Sequence, residues 1–272
     1  MLVKRLLVTI VLLPLGMAAI LAGGWYFTAL VAVFMGLAAW EYVTLFRTGG
    51  LRPSIVLVVG GTLLILIGRK INGFESAPWL ISLLILLSMT YHLVAYERGR
   101  DQAGTDFAVT LGGMFYIGWF GAYFISLRNL TEGRWWILVV LPAVWFADSG
   151  AYFIGKRFGR HLLSPRLSPK KTWEGYLGGI LVGVVLTALF AAVWRWGAGP
   201  NSAITPLRGA LVGLVMGILP TLGDLGESMI KRQTGVKDSG NILPGHGGAF
   251  DRVDSWLWAV VIGYYMIYWL WR

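Results

Sequence analysis

Between Gly223 and Ser255 the chain reads GDLGESMIKRQTGVKDSGNILPGHGGAFDRVDS, then runs directly into the apolar stretch WLWAVVIGYYMIYWLW. Asp224, Glu227, Ser228 and Lys231 are three or four residues apart, so on a helix they share one face. Asp251 and Asp254 stand in the same relation at the start of the next apolar segment. Two carboxylate pairs can therefore converge from successive helices. Helix caps and interfacial anchors account for any one of these residues taken singly. They do not account for the set, because ionisable groups in or beside a membrane span are costly and mark functional sites.

The residue types narrow the chemistry. Carboxylates with little histidine suit a hard cation such as Mg²⁺, which keeps waters and bridges carboxylates to substrate phosphates. The chain has no cysteine and three histidines, so a thiolate metal site, a cysteine nucleophile and a multi-histidine zinc site are excluded. Gly240, Gly245, Gly247 and Gly248 let a loop turn sharply and bring backbone N–H groups to an anion, with Lys237 and Arg252 beside them. A glycine-rich turn with no ligand gives the same pattern. His246 reads either as a substrate contact or as a loop histidine bonded to local backbone.

A second polar loop, GKRFGRHLLSPRLSPKKTWEGYLGG, is strongly basic. Its SPKKTWEG core turns at Ser168-Pro169, presents Lys170 and Lys171, and opens the next helix at Trp173 and Glu174. Paired lysines beside a membrane suit a lipid phosphate or a nucleotide triphosphate, although a basic loop also serves topology alone. The preceding GAYFIGKR resembles a phosphate-binding loop, but Arg157 stands where a hydroxyl is needed and no strand precedes it, so that reading is rejected. Asp148, with Tyr152 one turn on, is expected to make a buried polar contact, to substrate or to another helix. Glu41, His92 and Asn129 read as packing or loop residues.

The elements that must position these residues are membrane spans. The chain has 272 residues, 57% of them hydrophobic and 13% charged, with mean hydropathy +0.69. Such values describe a polytopic, all-α membrane protein. Apolar runs of roughly 17 to 25 residues, enough to cross about 30 Å of hydrocarbon, recur throughout. About nine spans are expected, near residues 6–22, 25–46, 55–68, 79–96, 107–127, 135–154, 175–196, 207–230 and 256–271. The first has the basic flank and small residues of a secretory signal and is read as a transmembrane helix. Residues 1–141 are expected to form a scaffold with dimer contacts, and 142–272 a catalytic region with polar loops at 156–174 and 231–255. No internal repeat or low-complexity tract is visible.

A formal net charge of +10 does not point to nucleic acid here, because basic residues of membrane proteins sit in loops, set topology and meet anionic lipid. A cytoplasmic N-terminus places both basic loops on the cytoplasmic side, where nucleotides are available.

These residues resemble the phosphatidate cytidylyltransferases, the CDP-diacylglycerol synthases. The family's C-terminal signature is matched by Ser228-Met-Ile-Lys231-Arg232, Lys237-Asp238, Pro244-Gly-His246-Gly247-Gly248 and Asp251-Arg252-Val253-Asp254. DSGAYFIGKRFGRH and SPKKTWEG also look like family segments. Ala147 departs from the pattern, which has Asn before Asp148, and up to about Leu141 the likeness is one of hydropathy only. The resemblance implies CTP plus phosphatidate giving CDP-diacylglycerol and pyrophosphate, with Mg²⁺ required and room for a second cation. It also implies a homodimer in the cell membrane, which is the inner membrane if the source is Gram-negative, and cation binding by Asp224 and Asp251.

On that footing Asp254 supports the cation ligands and Lys231 acts with the three aspartates. Lys170, Lys171, Arg232, Lys237, His246, Arg252 and Asp148 are then the substrate contacts. Two rivals remain at this point. A CTP-dependent lipid-alcohol kinase would share a nucleotide and cation site, and an ion-coupled transporter would also keep carboxylates within its spans.

Overall fold

The computed structural model describes residues 2–240, 242 and 247–271, and of residues 2–9 the backbone alone. Helices dominate in the order α1 (Leu2–Ala22), α2 (Gly24–Thr48), α3 (Ile55–Asn72), α4 (Ala77–Glu97), α5 (Ala103–Gly113), a π-helical segment (Met114–Trp119), α6 (Phe120–Arg128) and α7 (Gly133–Phe158). A short hairpin, β1 (Leu162–Ser164) and β2 (Ser168–Thr172), precedes α8 (Trp173–Ala198), α9 (Pro206–Ile218), α10 (Thr221–Gln233) and α11 (Phe250–Leu270). Among the described residues, eight helical stretches are long and apolar enough to cross a bilayer, counting 103–128 and 206–233 as one each. The described apolar part of α1, Ile10–Ala22, is shorter than a span. The protein is thus an all-α polytopic membrane protein.

Two compact units are formed: residues 1–126 with 230–253, and residues 127–229 with 254–272. In the first unit, α3 ends four residues beyond the expected Gly68, because its last turn buries Arg69 to 3% exposure. Arg69 Nη1 donates to the Ser126 hydroxyl at 2.7 Å. Its guanidinium carbon lies 3.6 Å from the Phe74 ring centroid and 4.5 Å from that of Trp119. Aromatic faces and a hydroxyl replace the water this cation gives up. Asp106, also buried, is gripped by the Arg52 amide at 2.7 Å and Arg100 Nε at 2.7 Å, tying the α2–α3 connection to α5.

The second unit is packed on small residues. Gly175, Gly179 and Gly183 recur every four residues on α8, and Gly209, Gly213 and Gly217 do so on α9. A Cβ on Gly179 would meet the Ala147 carbonyl of α7 at 2.6 Å, and one on Gly213 would meet the Gly183 carbonyl at 2.5 Å. Such stripes let backbones approach where no hydrophobic effect drives helices together, so packing must hold them. Thr172 and Thr205 cap α8 and α9, their hydroxyls accepting from Gly175 N and Arg208 N.

The stretch expected as one span over 207–230 is one apolar stretch, 206–233, built of two helices broken at Leu219-Pro220. Proline supplies no amide proton and restricts the residue before it, which ends α9. Helix α11 begins at Phe250 rather than Trp256, so Asp251 and Asp254 lie within its first turns.

Replacing Gly213 by valine forces α8 and α9 apart and is expected to cost about 1–3 kcal/mol. This reads out as a lower melting temperature of the detergent-solubilised protein. Gly60→Ala, at a glycine with nothing near its would-be Cβ, is expected to leave the melt where it is.

Candidate functional site

In the second unit Asp224 and Glu227 occupy successive turns of α10, and Asp254 stands at the start of α11. One carboxylate oxygen from each lies within 4.8 Å of the others. Gly223 permits this: a Cβ there would fall 2.6 Å from the Asp254 carbonyl and 2.7 Å from the Trp258 ring. Glu227 is 1% and Asp254 8% exposed. Three carboxylates this close, two of them buried and Asp224 partly exposed, repel one another strongly. They require protons, a cationic side chain or a bound cation.

A cationic side chain is present. Lys171 Nζ forms an ion pair with Asp224 Oδ2. The lysine is delivered by the hairpin, where Leu162 pairs with Thr172 and Ser164 with Ser168. Glu174 in the first turn of α8 fastens the hairpin's base. Its Oε2 accepts from the amides of Arg160 at 3.0 Å and His161 at 3.2 Å, and its Oε1 meets His161 Nδ1 at 2.5 Å. The Trp173 amide closes the turn by donating to the His161 carbonyl at 2.9 Å. Lys170 points outward, exposed. Asp148, expected to make a buried contact, is instead exposed on α7, near enough for its charge to act on Asp254.

The first unit holds a second polar group. Asp251, whose side chain is 7% exposed, accepts from Lys231 Nζ at 2.7 Å through Oδ1. Its Oδ2 accepts from the Ser239 amide at 3.0 Å and the Gly248 amide at 2.9 Å. Gly247, with φ of 83°, makes the turn that aims the Gly248 amide inward, a conformation that favours glycine. Arg232, Lys237 and Arg252, neighbours of these residues in the sequence, are exposed. His246 lies outside the described residues, as do Pro244 and Gly245.

Of the residues singled out from the sequence, Asp224, Asp254 and Lys171 come together, and so do Asp251 and Lys231. Glu227, noted there only as sharing a helix face with Asp224, joins the carboxylate cluster. Two contributors escaped sequence reasoning. Glu174 looked like a helix-opening residue; its place three positions after the Lys170-Lys171 pair was the available signal. Glu41 was read as a packing residue, yet its carboxylate accepts from the Ser239 hydroxyl and the Phe250 amide.

The cluster can bind a hard cation, because its donors are all carboxylate oxygens. Residues 3–270 match the model of the Cytidylyltransferase family. The phosphatidate cytidylyltransferase of Synechocystis is 32% identical over 294 residues, covering 97% of this chain and 96% of that protein. That of Pseudomonas aeruginosa is 33% identical, covering 94% and 93% respectively. That of Bacillus subtilis is 41% identical over 189 residues, 69% of this chain and 66% of its own.

Removing the Glu174 carboxylate should loosen the hairpin. Glu174→Ala is expected to speed tryptic cleavage at Arg160, Arg166, Lys170 and Lys171 several-fold, measured as the rate of fragment appearance. His161→Ala, which keeps both amide bonds, is expected to change it less.

Proposed function

The chain belongs to the cytidylyltransferase family, and we propose that it transfers the cytidylyl group of CTP to phosphatidate, releasing pyrophosphate and leaving CDP-diacylglycerol in the membrane. The observation that carries this reading is the partly exposed Asp224 clustered with the buried Glu227 and Asp254, with Lys171 brought to it. Curated relatives that bear the name phosphatidate cytidylyltransferase match nearly the whole chain.

In the reaction an oxygen of the phosphatidate phosphate attacks the α-phosphorus of CTP. A new P–O–P bridge forms, the bond from the α-phosphorus to the α–β bridging oxygen breaks, and that oxygen leaves with pyrophosphate. The nucleophile is already an anion, so no serine or cysteine is needed. The protein's task is to bring two polyanions together in line and to balance the charge that grows on the leaving group.

The donor set suits a divalent cation. We assign it to Mg²⁺, held by Asp224 with Glu227 and Asp254 beside it; Asp251 is the second aspartate to which the resemblance assigns cation binding. Bound there, such an ion neutralises triphosphate charge. The Asp251 carboxylate accepts from Lys231 and from the Ser239 and Gly248 amides, which fix its orientation.

The remaining roles fall to cations of the chain. Lys171 and Lys170 present positive charge to phosphates from the hairpin. Lys231, Arg232, Lys237 and Arg252 do so along the segment from α10 to α11, with His246 among them. Asp148 stays on the list as a polar contact near Asp254. The placement of this chemistry on the cytoplasmic side, where CTP is dissolved, follows from the distribution of basic loops. The homodimer belongs to the same reading.

Asp224→Asn and Asp251→Asn are each expected to lower CTP-dependent formation of CDP-lipid by about 10² to 10³, measured on purified protein with phosphatidate across a Mg²⁺ titration. Near-wild-type turnover at low Mg²⁺ in either variant contradicts the cation assignment.

A further inference from the structure

Glu41 lies on α2, far in sequence from every motif residue, and its side chain is fully buried at 0% exposure. Burying a carboxylate is expensive unless it is well bonded. Its two bonds among the described residues converge on one oxygen: Oε2 accepts from the Ser239 hydroxyl at 3.0 Å and the Phe250 amide at 2.8 Å. Oε1 is buried without a hydrogen-bond partner among the described residues. Two glycines clear space for the carboxylate. A Cβ on Gly240 would lie 2.4 Å from it and one on Gly248 2.3 Å.

The groups that Glu41 holds are those that orient Asp251. The Ser239 hydroxyl, while donating to Glu41, accepts from the Asp251 amide at 3.3 Å, and the Ser239 amide donates to Asp251 Oδ2. Gly248, packed on the Glu41 carboxylate, donates its amide to the same Oδ2. Phe250 is buried edge-on against Tyr42 and Tyr116, which secures the adjacent backbone. Glu41 therefore grips the chain on both sides of the glycine-rich loop.

We propose that Glu41 is a positioning residue that acts through Ser239 and the Gly248–Phe250 backbone to set the Asp251 carboxylate for cation and phosphate binding. This rests on the cation role given to Asp251 above. Residues that support a ligand from behind typically alter metal affinity by about 10- to 100-fold when removed. Glutamine keeps an oxygen for both donors, whereas alanine keeps none.

The test compares Glu41→Ala, Glu41→Gln, Ser239→Ala and Asp251→Asn in the full-length protein in detergent. Two quantities are read: Mn²⁺ affinity without nucleotide, from the free-ion EPR signal, and kcat and KM for CDP-lipid formation. Glu41→Ala and Ser239→Ala are expected to weaken Mn²⁺ binding about tenfold and to lower kcat, with KM for phosphatidate unchanged, as Asp251→Asn does more strongly. Glu41→Gln is expected to recover most of both. Ser239→Ala carries the test if Glu41→Ala does not fold. If Asp251→Asn weakens Mn²⁺ binding while Glu41→Ala or Ser239→Ala leaves both quantities at wild-type values, the positioning role is overturned and the ligand role stands. If Asp251→Asn leaves Mn²⁺ binding unchanged, the ligand role falls and the route through Glu41 falls with it.

Discussion

Mutual repulsion among Asp224, Glu227 and Asp254 is the interaction on which the rest depends. Three carboxylates within 4.8 Å of one another, two of them almost fully buried, store charge that only protons or cations can relieve. The fold spends close-packed glycine and a fastened hairpin to keep them there. Gly223 lets α10 approach the start of α11, and Glu174 holds the hairpin from which Lys171 reaches Asp224. A site built this way attracts positive charge, and under the proposed function that charge comes with a triphosphate and its divalent cation.

The same economy runs through the membrane-spanning scaffold. Where a polar group is buried, partners are supplied: a hydroxyl and aromatic faces for Arg69, an arginine and a backbone amide for Asp106. Where helices must pack closely, side chains are deleted, as along Gly175, Gly179 and Gly183. Both devices follow from the lack of water in the hydrocarbon, which neither solvates stray polar atoms nor drives helices together.

Much of this could be read from the sequence because membrane spans are long and chemically distinct, and because helical spacing is local. Asp224 and Glu227 share a face by arithmetic alone, and the paired lysines of SPKKTWEG announced a cationic turn. What escaped depended on partners distant in the chain. Glu41 is an isolated acid in an apolar run, and nothing near it in sequence reveals that Ser239 and Phe250 will bond to it. Arg69 looked like the end of a span, since its aromatic surroundings come partly from Trp119 and Tyr123. The break at Pro220 lies inside one continuous apolar stretch, so hydropathy alone does not mark it.

The reading as a cytidylyltransferase requires that the lipid's phosphate attack the α-phosphorus of CTP, and the fate of each phosphorus tests that directly. CTP labelled at the α position and CTP labelled at the γ position are supplied separately to the purified protein with phosphatidate. Transfer of the α label to lipid, with the γ label released as pyrophosphate, is the predicted result. Appearance of the γ label in lipid with CDP as the soluble product, or no transfer of either label, would contradict it.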